Sequence, residues 1–323
     1  MTLQLFEKNL IDLIKIPSEY GEEQEAIAFL VKKISPFFKI IKIPVNRGRF
    51  CLLALGGKKT EKLLVAHVDT VKGQLPVKFN DEYIFGRGSC DNKSSVIAMI
   101  EAGKKALNLN IDNFGMLFTI GEETNFDGAK SAINFFKNKG IKPRLVMIGE
   151  PTDSCIVTAQ KGVLLLEIIC KGIGAHSSIP GFTSANHELV RSLNSLLNLK
   201  LDNTLLNIGV ISGGTAPNII AEKASAAVLI RSRQKNIDKL FFKELSKHNC
   251  KTKIVFNFPP KFSKIKNHPF KEVNFFTEMF FFENSVVCGA GNIKDAHSQT
   301  EKVSRKQLAQ IINTYLAFLK QLK

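Results

Sequence analysis

Tryptophan is absent from the 323-residue sequence and only 3 tyrosines occur, so the aromatics that nucleic-acid-binding surfaces interleave with basic residues are scarce. No run of five or six basic residues is found, although 45 Lys+Arg against 29 Asp+Glu give a net charge of +16. That excess favours anionic partners through long-range steering. Being scattered, it reads as the bias of a Lys-, Asn-, Ile- and Phe-rich composition, and no nucleic-acid partner is expected. No stretch of 18 uncharged apolar residues is present, which argues against a membrane span. The six cysteines, Cys51, Cys90, Cys155, Cys170, Cys250 and Cys288, contain no C-x-x-C, so neither a disulfide framework nor a thiolate zinc site is indicated. Residues 1–16 mix Glu7, Lys8, Asp12 and Lys15 among apolar positions, the pattern of an amphipathic helix and not of a signal peptide. The expected location is cytoplasmic.

What is present is a chain that is 44% hydrophobic and 23% charged, long enough to bury a large core and to hold two domains. Its informative feature is how its apolar strands end. Leu63–Ala66 leads into His67-Val68-Asp69-Thr70, and Phe114–Ile120 into Gly121-Glu122-Glu123. Arg144–Ile148 leads into Gly149-Glu150-Pro151-Thr152. Between the first two, Gly86-Arg87-Gly88-Ser89-Cys90-Asp91-Asn92-Lys93 opens a helix over Ser94–Leu107, with Asp91 at its N-terminus.

Helical spacing over Leu3–Ile16, Glu22–Ser35 and Asp127–Gly140 alternates with strands at Phe37–Ile43, Phe50–Leu55 and the runs above. Val77–Phe85 reads as a hairpin, and Gly56-Gly57-Lys58-Lys59-Thr60 lacks the spacing of a phosphate loop. The alternation predicts an α/β fold: a mostly parallel sheet with helices on both faces, whose ligands gather outside the carboxyl ends of its strands.

From Val163 the order becomes strand Val163–Lys171, helix Ser184–Leu199, strands Leu205–Ile211 and Lys223–Ser232, helix Ile237–His248 and strand Thr252–Phe258. This βαββαβ pattern predicts a small inserted α+β domain. The expected division is residues 1–160 and 262–323 for the catalytic domain and 161–261 for the insert. The chain then returns through an apolar strand at Val286 to Asp295-Ala296-His297-Ser298 and a last amphipathic helix, Ser304–Leu322. His187, His248 and His268 match none of these patterns and read as surface or helix residues.

His67, Asp91, Glu123, Glu150 and His297 make a set of two imidazoles and three carboxylates, suited to Zn²⁺ and also to Co²⁺ or Mn²⁺. If one carboxylate bridges, each of two ions gains a histidine, a terminal acid and a share of the bridge. Two such ions acidify a water between them and stabilise a tetrahedral oxyanion. Glu122, next to a ligand, is the candidate general base.

The blocks HVDT (67–70), GRGSCDNK (86–93), GEE (121–123), GEPT (149–152), GAHSS (174–178), GGTAPNII (213–220) and GAGN with AHSQTE (289–292, 296–301) run in one order over nearly the whole chain. In this order they resemble the co-catalytic zinc amidohydrolase and peptidase family of acetylornithine deacetylase, succinyl-diaminopimelate desuccinylase, N-acyl-lysine hydrolase, glutamate-releasing carboxypeptidase and tripeptide aminopeptidase. The resemblance implies a zinc-exopeptidase-like catalytic domain with an inserted lid or dimerisation domain. It implies that Asp91 bridges two divalent ions, Zn²⁺ first, that Glu123 with His297 holds one and that Glu150 with His67 holds the other. By the same resemblance Asp69 orients His67 and Glu122 shuttles the proton. His176 stabilises the tetrahedral intermediate, often from a partner subunit, and Asn218 and Arg231 contact the substrate carboxylate. A homodimer follows from it too.

The sequence departs from that family at Ser94-Ser95, where glycines are usual, and at Ala221, where proline is common. About 17 residues separate His268-Pro269 from Val286, a compaction in which Thr277-Glu278 reads as the remnant of a T-[SD]-[DE]-like block. The short spacer from Thr70 to Gly86 resembles the compact N-acyl-lysine or N-acyl-ornithine hydrolases, whose substrate is attached to an acidic carrier protein. The leading expectation is hydrolysis of the amide of a small N-acylated amino acid, in amino-acid biosynthesis. The alternatives are a di- or tripeptidase or carboxypeptidase of the same family, and a metal-free binding homologue.

Overall fold

The structure, a computed structural model, describes residues 3–265 and 269–321. It divides into two compact units. The first comprises the chain up to Thr158, Ser263–Lys271 and the chain from Thr277 on; the second comprises Ala159–Phe262 and Glu272–Phe276. Glu272–Phe276 joins the insert because Glu272–Val273 pairs in parallel with Ala159–Gln160.

The first unit is built on a six-stranded sheet in the order Lys39–Pro44, Phe50–Leu55, Phe114–Thr119, Lys62–His67, Leu145–Ile148, Ser285–Val287. The last four strands are mutually parallel, and the first two join antiparallel at one edge. All six residues of Lys62–His67 and of Phe114–Thr119 are buried, as uninterrupted apolar strands must be when helices cover both faces. The helices Leu5–Ile14 and Arg305–Lys320 pack on Lys93–Asn108, while Asp127–Lys139 and Gln24–Ile34 pack on the antiparallel strands. Close approach demands glycine once here: a Cβ on Gly149 would lie 2.6 Å from that of Ser95, where the helix Lys93–Asn108 meets the strand end.

Parallel pairing has one consequence for function. The carboxyl ends of four neighbouring strands, at Thr119, His67, Ile148 and Val287, lie along one edge of the sheet. The segments that follow them carry Glu122, Glu123, Glu150 and His297.

The second unit is a four-stranded antiparallel sheet in the order Leu205–Gly213, Lys223–Ser232, Gly162–Lys171, Cys250–Phe258. Burial alternates with period two along its central strands, so Leu164, Leu166, Ile168, Ala226, Val228 and Ile230 form one face. The helices Ala185–Leu197 and Ile237–Leu245 close that core through Leu189, Leu193, Leu196 and Phe241.

One sequence expectation fails here. Cys170 and Cys250, register partners on adjacent strands, form a disulfide across 80 residues of sequence. A cross-strand pair so far apart leaves no spacing signal. Cys51, Cys90, Cys155 and Cys288 are free. Among the described residues no helix is long and apolar enough to cross a membrane.

Candidate metal centre

Asp91 lies between two imidazoles. His67 Nε2 is 3.0 Å from its Oδ1, and His297 Nε2 is 3.3 Å from its Oδ2. Each imidazole has a second acid: Glu150 Oε1 at 3.8 Å from His67 Nε2, and Glu123 Oε1 at 2.9 Å from His297 Nε2. Ligand atoms of His67, Asp91 and Glu150 fall within 4.8 Å of one another, as do those of Asp91, Glu123 and His297, and as do those of His67, Glu122 and Glu123. The five expected ligands are thus gathered into two triplets that share Asp91. Glu122 stands against both.

The site is dry on one side and open on the other. The side chain of His67 is 1% exposed and that of His297 48%. Burial pushes the carboxyls of Glu122, Glu123 and Glu150 above the usual range, and the neighbouring acids push them the same way. For Asp91 burial acts upward too, but hydrogen bonds from His297 and His67 outweigh it and hold the carboxyl well below the usual range. His297 is raised to about 10 by its hydrogen bonds to Asp91 and Glu123. Four carboxylates around two imidazoles leave an excess of negative charge, the condition a pair of dications relieves. The donor set therefore fits two divalent ions. One atom adds to the fit: Glu150 Oε1 is buried and has no hydrogen-bond partner.

Asp69 meets His67 through its main chain. The ring of His67 is held through Nδ1 by the main-chain carbonyl of Asp69 at 3.0 Å, while the nearer carboxylate oxygen is 3.7 Å away. The carboxylate instead accepts the N–H groups of Glu122 at 3.2 Å and Glu123 at 3.0 Å. It anchors the loop that carries Glu122 and Glu123.

The second unit separates its three candidates. His176 and Asn218 lie side by side on paired loops: Ser177 N–H donates to the Asn218 carbonyl at 3.0 Å, and His176 bridges to Ile219. Both side chains are exposed, with His176 Nδ1 2.8 Å from Ser178 Oγ. Arg231 pairs with Val163, whereas Lys223, at the start of the same strand, pairs with Lys171 just before the His176 loop. Eight residues of strand, roughly 26 Å, set Arg231 apart from that end. His187 is exposed on its helix and His248 bonds Ser195 Oγ at 2.9 Å; His268 lies outside the described residues.

Several buried charged residues outside the candidate set support the centre. Glu278, in the Thr277-Glu278 pair, is fully buried and accepts from Thr119 Oγ1 at 2.9 Å. Lys93 is fully buried and donates to the carbonyls of Leu13 and Ile16 at 3.2 and 2.7 Å, closing the end of the first helix. Burial pushes the Lys93 ammonium down to about 7, against Glu301 and Asp69. Buried Arg49 pairs with Glu23 and, at 2.8 Å, with Asp127 at the start of the helix after the Glu122-Glu123 loop. Charged residues rarely enter a core unpaired, yet a sequence does not show which will be paired.

The chain belongs to peptidase family M20/M25/M40, whose family pattern matches residues 63–251. A probable carboxypeptidase of Aspergillus clavatus is 32% identical over 263 residues, covering 70% of this chain and 58% of that protein. An M20 domain-containing protein of Schizosaccharomyces pombe is 29% identical over 277 residues, covering 80% of this chain and 68% of that protein. The chain thus spans little more than half the length of the A. clavatus carboxypeptidase. Among solved structures, a tripeptidase of Staphylococcus aureus matches with a TM-score of 0.82 at 20% identity, covering 98% of this chain and 97% of that one. An M20 family metallo-carboxypeptidase of Sulfolobus solfataricus matches with a TM-score of 0.76 at 18% identity, covering 98% and 99%. At these identities the likeness is one of fold: α/β with a mostly parallel central sheet.

Proposed function

We propose that the protein is a metal-dependent amidohydrolase that releases an amino acid from an amide at its amino group. A C-terminal residue of a short peptide and an N-acylated amino acid present the same reacting bond, so one site chemistry serves both. The observation that carries the reading is Asp91, set 3.0 Å from one imidazole and 3.3 Å from another, each with its own acid. In this reading His67, Asp91 and Glu150 hold one divalent ion, and Asp91, Glu123 and His297 hold the second. Zinc suits the mixed imidazole and carboxylate donors, as do cobalt and manganese. When bound, the ions supply positive charge that acidifies a water and stabilises the oxyanion.

The protein's own residues do the rest. Glu122, whose carboxyl is raised by burial and then by Glu150, Glu123 and Asp91, takes a proton from the attacking water and returns it to the leaving amine. The water oxygen first adds to the carbonyl to give a tetrahedral intermediate; its C–N bond then breaks as the amine takes the proton from Glu122, and a carboxylate and a free amine leave. His176, Asn218 and Arg231 are assigned to the intermediate and the substrate carboxylate on the family resemblance; an arginine fork binds a carboxylate bidentately. The same resemblance supports a homodimer.

A hydrolysis panel tests the reading. Protein loaded with Zn²⁺, Co²⁺ or Mn²⁺ is offered N-blocked dipeptides, free di- and tripeptides, N-acetylornithine, N-acetyllysine, N-succinyl-diaminopimelate and N-acylglutamates. Amino-acid release that stops on chelation and returns with metal is expected. Turnover that survives chelation, or no turnover on any member, defeats it. A second reading, in which the acyl group sits on a substrate carried by an acidic protein, is favoured by the net charge of +16. It predicts turnover on the carrier-linked substrate that falls steeply with salt.

A further inference from the structure

The acids that touch the candidate centre do not explain how two separate loops are held so that Asp91 faces both imidazoles. Asp91 ends the Gly86–Cys90 loop, and His297 lies more than 200 residues later in sequence. One buried side chain joins the two loops. Glu301, 1% exposed and four residues after His297, turns Oε1 into the Gly86–Asp91 loop and accepts three main-chain N–H groups: Gly88 at 2.9 Å, Cys90 at 3.1 Å and Asp91 at 3.1 Å. Its Oε2 takes the guanidinium of buried Arg87 at 2.6 Å. Arg87 in turn reaches the carbonyls of Ser298, at 3.4 Å, and Gly73, at 3.0 Å. The main chain of Glu301 adds a further tie, its carbonyl accepting the Gly86 N–H at 3.1 Å.

N–H groups that converge in this way form a nest of the kind that holds an anion, and here the anion is part of the chain. Gly88, at φ +84°, supplies the left-handed turn that points them inward. Arg87, which also holds the carbonyl of Ser298 next to His297, and the N–H of Asp91 itself meet on this one carboxylate.

We propose that Glu301 is a positioning residue for the metal pair, clamping the Asp91 loop to the His297 loop so that the shared carboxylate and the exposed imidazole keep their spacing. The inference rests on the metal reading above. Glu301 touches no ion and no substrate in it; it acts through Asp91 and His297. A carboxylate is required because both of its oxygens accept. In Glu301→Gln one donor-bearing end must face either the N–H cluster or the Arg87 guanidinium. Glu301→Asp keeps the charge but is one methylene too short to reach both.

The test is metal affinity, read by competition with a chromophoric chelator, with no substrate present. Supporting residues of this type typically govern metal affinity by about 10–100-fold. Glu301→Gln is expected to weaken both ions by that factor and the ion at Glu123 and His297 the more. It should also shift the visible absorption of the Co²⁺-loaded protein; Glu301→Asp should recover part of the loss. Glu7→Gln supplies the control, because it breaks a partly buried ion pair with Arg305 in the same unit at none of the proposed ligands. If Glu301→Gln binds both ions within twofold of the unsubstituted protein, the clamp is wrong and the metal reading stands. An equal loss in Glu7→Gln at the same loss of thermal stability also overturns it, by reducing the effect to general destabilisation. Failure of the unsubstituted protein to bind two divalent ions overturns both.

Discussion

In the first unit, donors from separate stretches of chain meet within 2.9 to 3.8 Å of one another, whereas in the second Arg231 sits at one end of a ten-residue strand and the His176–Asn218 pair follows the other. Sheet type accounts for the difference. In a parallel sheet every carboxyl end lies on the same edge, so residues that follow different strands become neighbours whatever their distance in sequence. Antiparallel neighbours end on opposite edges. Lys171 and Ser232 close the two central strands of the second unit, and they lie at opposite ends of the ladder. A residue at the end of a strand is therefore a strong pointer to a shared site in one unit and none in the other. The second unit does not assemble these three residues by itself; the first gathers all five candidate ligands.

The comparison breaks most sharply at Glu122. Glu122→Gln removes the proton carrier and keeps the shape, so kcat should fall by about 10²–10⁴-fold while two ions remain bound. Turnover and metal content are measured on the same preparation. Near-normal turnover would mean that the buried acids serve only to hold charge.

His176 probes the other side. Loss of a donor to a tetrahedral intermediate costs about 10²–10³ in kcat, so His176→Ala should show that loss with unchanged metal affinity. Mixing it with Glu122→Gln distinguishes the source of the imidazole. If a dimer supplies His176 across the pair, the two inactive variants should restore about a quarter of normal activity, since half the pairs are mixed and each has one complete site. Mixtures as inactive as their components would place His176 in the same chain as the centre it serves.

Legibility in the sequence followed the same divide. The five candidate ligands are readable as a group because each follows a strand or opens a helix, a one-dimensional signal that the parallel sheet converts directly into proximity. Arg231 carries the same signal, but antiparallel pairing within the second unit does not bring it to His176 and Asn218. Asp69 is expected to orient His67, and sequence does not reveal that its main-chain carbonyl turns to His67 while its carboxylate turns to Glu122 and Glu123. Glu301 closes the AHSQTE block, but the block does not reveal its partners, which lie about 210 residues earlier in the chain. The disulfide between Cys170 and Cys250 depends on strand register in the same way. What was not legible is pairing between side chains and main chain, which only the folded path defines.

Asp69→Asn sharpens the comparison within the first unit. Both Asp69 oxygens accept from the Glu122-Glu123 loop, so an amide presents a donor to one of those N–H groups. The ion held by Glu123 and His297 should weaken by about 10–100-fold, and the ion at His67 should change less because the carbonyl that holds that ring is untouched. Stepwise metal titration separates the two. Selective loss at the His67 side would instead mean that the longer 3.7 Å contact between carboxylate and imidazole is the one that matters.

The smallest effect is one of stability, and it asks what burial costs where no metal relieves it. Burial raises the carboxyl of Glu278 from 4.5 to about 7; His67 and the Thr119 hydroxyl oppose the rise, and Asp69 adds to it. Below about pH 4.5 both folded and unfolded chains hold this proton, and the group contributes no pH dependence. As the pH rises toward 7 the unfolded chain ionises first, so stability falls through this window and levels off above the folded value. The loss is on the order of 1–3 kcal/mol. Glu278→Gln keeps an oxygen for the Thr119 hydroxyl and cannot ionise, so the metal-free variant should lose this part of the slope and gain stability relative to the unsubstituted protein above pH 7. Urea melts of metal-free protein at pH 5 and pH 8 measure it, the difference between the two curves being the quantity of interest. An unchanged difference would show that Glu278 is already ionised and paired in the folded chain. A larger one would show that the carboxylate stabilises the ground beneath His67 and Asp69, which would make it part of the centre's support.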